Sequence, residues 1–110
     1  MKKVHPPSAI AQRLSALSEA VRLRLLRLLE LEELTVGEVA RVVQMPQSTI
    51  SRHLKILAES GWLGRRNEGT ATLYRLVLDD LAAWDRAVWL AVRAGADDAA
   101  ETREDLPRLK

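Results

Sequence analysis

Read from its start, the chain alternates between stretches whose apolar residues recur every three or four positions and short polar breaks. Ser8 stands as an N-cap ahead of Ile10, Leu14 and Leu17, which share one stripe and predict a first helix from about residue 8 to residue 17. Ser18 offers a second cap, and residues 19–31 read as a helix with Val21, Leu25, Leu28 and Leu29 on one face. Leu23 and Leu26 widen that face and Arg22, Arg24 and Arg27 fill the rest, the pattern of a helix central to a core. Thr35 followed by Glu38 has capping-box spacing and opens a short helix over 36–43 that buries Val36, Val39, Ala40 and Val43. Met45-Pro46 breaks it. Because a proline at a helix start gives up an N–H that has no intrahelical partner there, a new helix is predicted from Pro46 or Gln47 to Glu59, with Gly61 as its stop. Two such helices joined by about three residues form a helix-turn-helix.

After Gly61 the period becomes alternating. Residues 62–66 and 71–76 predict two short strands around the turn Asn67-Glu68-Gly69-Thr70. A last helix is expected from Asp79 to about Ala94, with Asp79 and Asp80 meeting the positive end of its dipole. The Ala-, Asp- and Glu-rich end predicts a frayed tail in which only Leu106 and Leu109 could dock. The pattern therefore predicts a mainly α chain with a small β-hairpin, a winged helix-turn-helix of about five helices plus a two-stranded wing. Its organisation reads as a flexible N-terminus over 1–7, one domain over 8–94 and a polar tail or linker over 95–110.

Composition narrows the function classes. A chain of 110 residues, 47 % of them apolar, suits one domain without staples. With no cysteine there is no disulfide framework, thiolate metal cluster, cysteine nucleophile or thiol switch. No apolar run approaches the roughly 18 residues of a membrane span, and Met1-Lys2-Lys3-Val4-His5-Pro6-Pro7 lacks the apolar core of a secretory signal. A soluble, cytoplasmic protein is the expectation. The net charge of +2 hides an uneven distribution: residues 41–78 carry six basic and two acidic groups, whereas 79–110 carry five and eight. Positive charge is thus gathered where the helix-turn-helix meets the hairpin, a place to meet a polyanion.

The chemistry lies on the helix from Gln47 onward. Ile50, Leu54 and Leu57 fix its buried face, which leaves Gln47, Ser48, Ser51, Arg52 and Lys55 on the opposite one. Glutamine suits adenine, arginine suits guanine, and small hydroxyls let the backbone approach closely. Gln47, Ser48, Thr49, Ser51 and Arg52 are expected to read bases or nearby phosphates. Lys55, with Arg65, Arg66 and Arg75 on the hairpin, is expected to hold the phosphate backbone. His53 shares the buried side and reads as a packed histidine with one ring nitrogen hydrogen-bonded. No Gly-rich phosphate loop, nucleophile elbow or apolar carboxylate pair appears, so neither catalysis, nor a cofactor, nor a metal is expected.

On the last helix, Leu81, Trp84, Val88 and Ala91 follow helical spacing while Trp89, Leu90 and Val92 add apolar surface elsewhere. A terminal helix needs one face to dock on its own core. The surplus, about 150–250 Å² for each aromatic side chain, is expected to bury against a second subunit. Ile10, Leu14, Leu81, Trp84, Val88, Trp89, Ala91 and Val92 are the expected dimer contacts.

Four segments, 17–26, 35–40, 47–57 and 58–63, together resemble the ArsR/SmtB family of bacterial winged-helix repressors. Ser51-Arg52-His53-Leu54-Lys55, followed by Gly61 and an Arg-rich wing, is the most specific part, and the likeness covers roughly residues 8–94. The resemblance implies a homodimer built from the first and last helices, two recognition helices reaching successive major grooves, and DNA binding that alternates with binding of an inducer. It also exposes departures. Where many members carry a Cys-Val-Cys metal-sensing step, this chain has Thr35-Val36-Gly37. Where others use carboxylates and histidines on the last helix, it has Asp79, Asp80 and Asp85 with no histidine, so zinc is not expected. The family's Asp-Pro-Thr step is Glu19-Ala20-Val21 here. Some relatives join this domain to an S-adenosylmethionine-dependent methyltransferase through a segment like 95–110.

The resulting expectation is a homodimeric repressor of a nearby operon that binds a palindromic double-stranded operator and is released by an effector other than a thiolate-bound metal. A small molecule, a protein antagonist or no inducer at all all fit. Two alternatives stand beside it: the regulatory part of a methyltransferase fusion, and a winged-helix module for protein association.

Overall fold

The computed structural model describes residues 7–109, so the segment 1–6, most of the stretch expected to be flexible, lies outside the described residues. Helix α1 spans Pro7–Ala16 and α2 spans Ala20–Leu31. Ser18 does not cap α2: its hydroxyl donates to the Ser15 carbonyl at 2.6 Å, and Glu19 takes the cap position with extended backbone. Leu25, Leu26, Leu28 and Leu29 of α2 are fully buried, as a helix apolar on most sides must be when it runs through the centre of a core.

Strand β1, Leu34–Thr35, leads into α3, Val36–Val43, whose start carries the expected capping box. The Glu38 amide donates to the Thr35 hydroxyl at 3.2 Å and the Thr35 amide donates to the Glu38 carboxylate at 2.8 Å. Gln44 closes α3 in the left-handed region with φ 59°, and Pro46 in extended backbone launches α4, Gln47–Glu59. Ile50, His53, Leu54 and Leu57 form the buried face of α4. Gly61, at φ 89°, ends the helix and turns the chain toward the sheet.

Strands β2, Gly64–Glu68, and β3, Ala71–Arg75, pair antiparallel with Glu68 opposite Ala71, so the hairpin turn is Gly69-Thr70. The sheet has three strands in the order β1-β3-β2, one more than expected, because Leu34 pairs with Tyr74 and Thr35 with Leu73. Just past β3, Leu76 donates its amide to the Leu29 carbonyl at 2.9 Å, which fastens the sheet to α2.

The C-terminal part departs most from expectation. Asp79 and Asp80 do not cap a helix; they lie in a 3₁₀ turn over Leu78–Asp80. Helix α5 runs from Ala83 to Ala96, with Asp85 in its first turn. Residues 100–108 are not a polar tail but a sixth helix, α6, Ala100–Arg108, packed on α2 and α3. Thr102 and Asp105 are buried there, and Leu106 and Leu109 pack against the core as half-buried residues. Arg24 of α2 holds the Asp105 carboxylate with two hydrogen bonds, 2.8 and 2.9 Å, and reaches the Val43 carbonyl at 3.3 Å. A carboxylate can be buried only when a cation and good donors meet it, and Arg24 supplies both.

Candidate nucleic-acid interface

The outward face of α4 carries Gln47, Ser48, Ser51, Arg52 and Lys55, all exposed, while Thr49 is half-buried at its margin. Among the described residues none of the five makes a side-chain hydrogen bond or ion pair, so their donors and acceptors point to solvent unengaged. The first turn of α4 has no side-chain cap on its amides, which leaves an N-terminus able to receive an anion. The Gln47 side chain lies over Gly37 of α3, and a Cβ added there would stand 3.2 Å from Nε2. The small residue in α3 therefore gives the first polar side chain of α4 its room.

His53 anchors the opposite face. Its Nδ1 accepts a hydrogen bond of 3.2 Å from Nε of Arg22, so the buried ring is held neutral and hydrogen-bonded as expected. Burial and, after it, the Arg22 guanidinium hold its pKa below the ordinary imidazole range. Arg22 also donates to the Ala16 carbonyl at 3.2 Å and pairs with Glu19.

The three arginines of the wing are not equivalent. Residues opposite one another on antiparallel strands share a face, and Arg65 stands opposite Tyr74, whereas Arg66 stands opposite Leu73 and Arg75 opposite Gly64. Tyr74 is buried, so Arg65 lies on the side of the sheet that faces the helices. Arg66 and Arg75 lie on the other side, where both meet Glu33, at 2.7 and 3.8 Å. Among the described residues Arg65 has no ion pair. Strand alternation thus divides the three wing arginines between the two sides of the sheet.

The residues expected at a dimer contact also divide. Leu81 and Trp89 are buried inside the single chain, Trp89 at 0 % exposure with its indole N–H donating to Glu30 at 3.1 Å. Their apolar surface is consumed by the chain's own core. Leu14, Trp84 and Ala91 remain exposed, the first two at 45 % and 42 %, and Ile10, Val88 and Val92 are half-buried. Leu90 adds a further exposed apolar side chain on α5.

Arg13 was not singled out by the pattern of the chain, yet it links these regions. Its guanidinium pairs with the buried Asp85 of α5 at 3.3 Å and covers Gly61, while its carbonyl accepts the Trp62 indole N–H at 2.9 Å. No spacing rule finds such a residue, because its three partners are far away in sequence.

A helix-turn-helix whose second helix turns five unengaged polar side chains outward beside a hairpin defines a winged helix-turn-helix protein of the transcription-regulator class. Residues 19–63 match the family model described as bacterial regulatory protein, arsR family. Over 70 residues the chain is 37 % identical to an uncharacterized HTH-type transcriptional regulator of Methanocaldococcus jannaschii, a match spanning 63 % of this chain and 79 % of that relative. The chain belongs to the arsR family. It is also similar to a cadmium resistance transcriptional regulatory protein CadC homolog of Staphylococcus aureus, 35 % identical over 71 residues. That match spans 64 % of this chain and only 59 % of the staphylococcal relative's length. Among solved structures, the homodimeric winged helix-turn-helix DNA-binding domain from Mycobacterium bovis superposes with a TM-score of 0.68. It is 28 % identical, over 91 % of this chain and 94 % of that one. Among the described residues no group of three or more His, Cys, Asp or Glu side chains could hold a metal ion, and no helix is long and apolar enough to cross a membrane.

Proposed function

We propose that this protein is a non-enzymatic, homodimeric repressor of transcription that binds a palindromic operator in double-stranded DNA. What carries the reading is the row of unengaged polar side chains on α4 beside an N-terminus without a side-chain cap. Gln47, Ser48, Thr49, Ser51 and Arg52 read base edges or adjacent phosphates; Lys55 and Arg65 hold the backbone, with Arg66 and Arg75 behind them. The exposed apolar side chains Leu14, Trp84 and Ala91 join two protomers through α1 and α5, as befits a relative of a homodimeric domain. Two recognition helices so related meet half-sites about one DNA turn apart, roughly 34–36 Å. A DNA partner agrees with a cytoplasmic location. An effector, if the operon uses one, is a small molecule or a protein rather than a thiolate-bound metal, since the chain has no cysteine.

The test is selection of bound fragments from the source genome, followed by mobility shifts with the recovered sequence and a scrambled copy. A specific, salt-sensitive shift together with lower transcription from the adjacent promoter supports the reading. Equal binding to both duplexes, or higher transcription on binding, overturns it.

A further inference from the structure

Glu33 belongs to no motif and lies in the link between α2 and β1, yet it organises the outer face of the wing. The Arg66 Nε donates to both of its carboxylate oxygens, at 2.9 and 3.1 Å, and Nη2 donates at 2.7 Å. Nη1 of Arg66 is taken by Glu68 at 3.2 Å, and Arg75 Nε stands 3.8 Å from the same Glu33 carboxylate. The hydrogen bond from Arg66 lowers the Glu33 pKa and raises that of Arg66, so both stay charged at any ordinary pH. The pairing of Thr35 with Leu73 fixes where Glu33 stands relative to β3.

A guanidinium gripped on two sides by carboxylate oxygens presents the geometry it would use for a phosphate. Exposed ion pairs contribute little to stability, so this cluster is a poor stabilising device. Its electrostatic consequence is larger. Sequence-independent affinity for DNA grows with the number of phosphates that cations neutralise, and here two of the three wing arginines face a protein anion instead. Arg52, Lys55 and Arg65 are the cations of α4 and the wing that, among the described residues, lack such a partner.

We propose that Glu33 is a specificity-determining residue: by occupying Arg66 and Arg75 it withholds two cations from general phosphate attraction and leaves the choice of site to α4. This deepens the DNA-binding reading above and rests on it. A carboxylate in the turn before the sheet thus acts as an internal competitor for the phosphate backbone.

The experiment is fluorescence anisotropy of the full chain on two labelled duplexes, one of mixed sequence and one recovered by genomic selection, over a series of salt concentrations. Wild type, Glu33→Gln, Arg66→Ala/Arg75→Ala and the triple variant are compared, with circular dichroism to confirm folding. Glu33→Gln tightens binding to the mixed-sequence duplex about threefold or more at low salt, steepening the salt dependence by about one unit for each arginine released. The selected duplex gains less, so discrimination falls. Removing the two arginines changes mixed-sequence binding little in the wild-type background and erases the gain in the Glu33→Gln background. Unchanged or weaker mixed-sequence binding by a folded Glu33→Gln protein overturns the proposal, because Glu33 would then merely brace the wing. That result, with a normal wild-type shift on the selected duplex, strikes only Glu33. A folded wild type that binds neither duplex removes the DNA-binding reading itself.

Discussion

Arg22 of α2 and His53 of α4 are joined by a buried hydrogen bond from Nε to Nδ1 of 3.2 Å. The bond requires a neutral imidazole, since a proton on Nδ1 would set two donors and two positive charges against each other. Burial is the largest cause of its lowered pKa; Arg22 and, to a smaller extent, Arg52 also oppose protonation, while Glu19 favours it. An imidazole with a depressed folded pKa contributes stability that is complete above the unfolded value of about 6.5. That contribution is lost as pH falls through the folded pKa, because the unfolded chain binds the proton first. Urea midpoints should therefore hold level above neutrality and decline below it. His53→Asn, which keeps an acceptor near Nδ1 but does not titrate, should flatten that decline. An unchanged slope in the variant would place the pH sensitivity elsewhere.

Gly61 answers two demands at once, a φ of 89° and the guanidinium of Arg13, whose Cζ would lie 2.8 Å from an added Cβ. Gly61→Ala should cost about 1–3 kcal/mol, the range for a side chain forced into that backbone region, plus the displacement of Arg13. Arg13→Ala alone also destabilises, since it withdraws a cation from the buried Asp85. The pair should cost less than the sum of the two, because the clash disappears with the guanidinium. Denaturant unfolding of the four proteins checks this, and strict additivity would show that Arg13 moves aside freely.

At the proposed DNA surface, Arg52 and Arg65 should separate by their readout. Arg52→Ala on the recognition face should weaken the operator by about 1–3 kcal/mol and relax preference at one base position. Arg65→Ala should instead weaken all duplexes alike and reduce the salt slope by about one unit. Equal loss on operator and scrambled DNA for Arg52→Ala would contradict base reading. A competition titration on both duplexes decides between the two behaviours.

The docking of α6 depends on Asp105, whose carboxylate is 1 % exposed beside an Arg24 side chain at 17 %. Asp105→Ala should cost about 2–3 kcal/mol, below the full penalty of breaking a wholly buried pair, because Arg24 can turn to water. The loss should be local. Amides of residues 100–108 should exchange faster than those of α2 and α4, which hydrogen exchange resolves. Uniform loss of protection across the chain would mean that α6 is inseparable from the core.

These elements show what a pattern can and cannot reveal. The helix-turn-helix was legible because Ile50, Leu54 and Leu57 repeat at helical spacing between Pro46 and Gly61, and because Thr35 and Glu38 stand a capping box apart. The side chains of α4 facing solvent followed from the same arithmetic. Strand β1 was hidden, since two residues show no period and exist as a strand only through pairing with β3, some forty positions on. Helix α6 was hidden for a different reason: its buried face is made of Thr102 and Asp105, which look solvated until Arg24 is brought beside them. The division of Arg65 from Arg66 needs the register of the hairpin, and the clasp of Glu33 needs the fold.

The surplus apolar surface on α1 and α5 separates by burial into two sets that mutation should distinguish. Leu14 and Trp84 are exposed in the single chain, whereas Trp89 is enclosed and hydrogen-bonded to Glu30. A carboxylate at position 14 or 84 can reach water in the protomer, so Leu14→Glu and Trp84→Glu should fold while failing to pair. Trp89→Ala should instead cost about 3–5 kcal/mol by leaving a cavity and lower the unfolding midpoint whatever the state of association. Sedimentation velocity paired with thermal unfolding reads both quantities on the same samples. Dimeric Trp84→Glu and Leu14→Glu proteins would mean that the protomers meet through another face, and the spacing proposed for the operator half-sites would have to be derived again from that face.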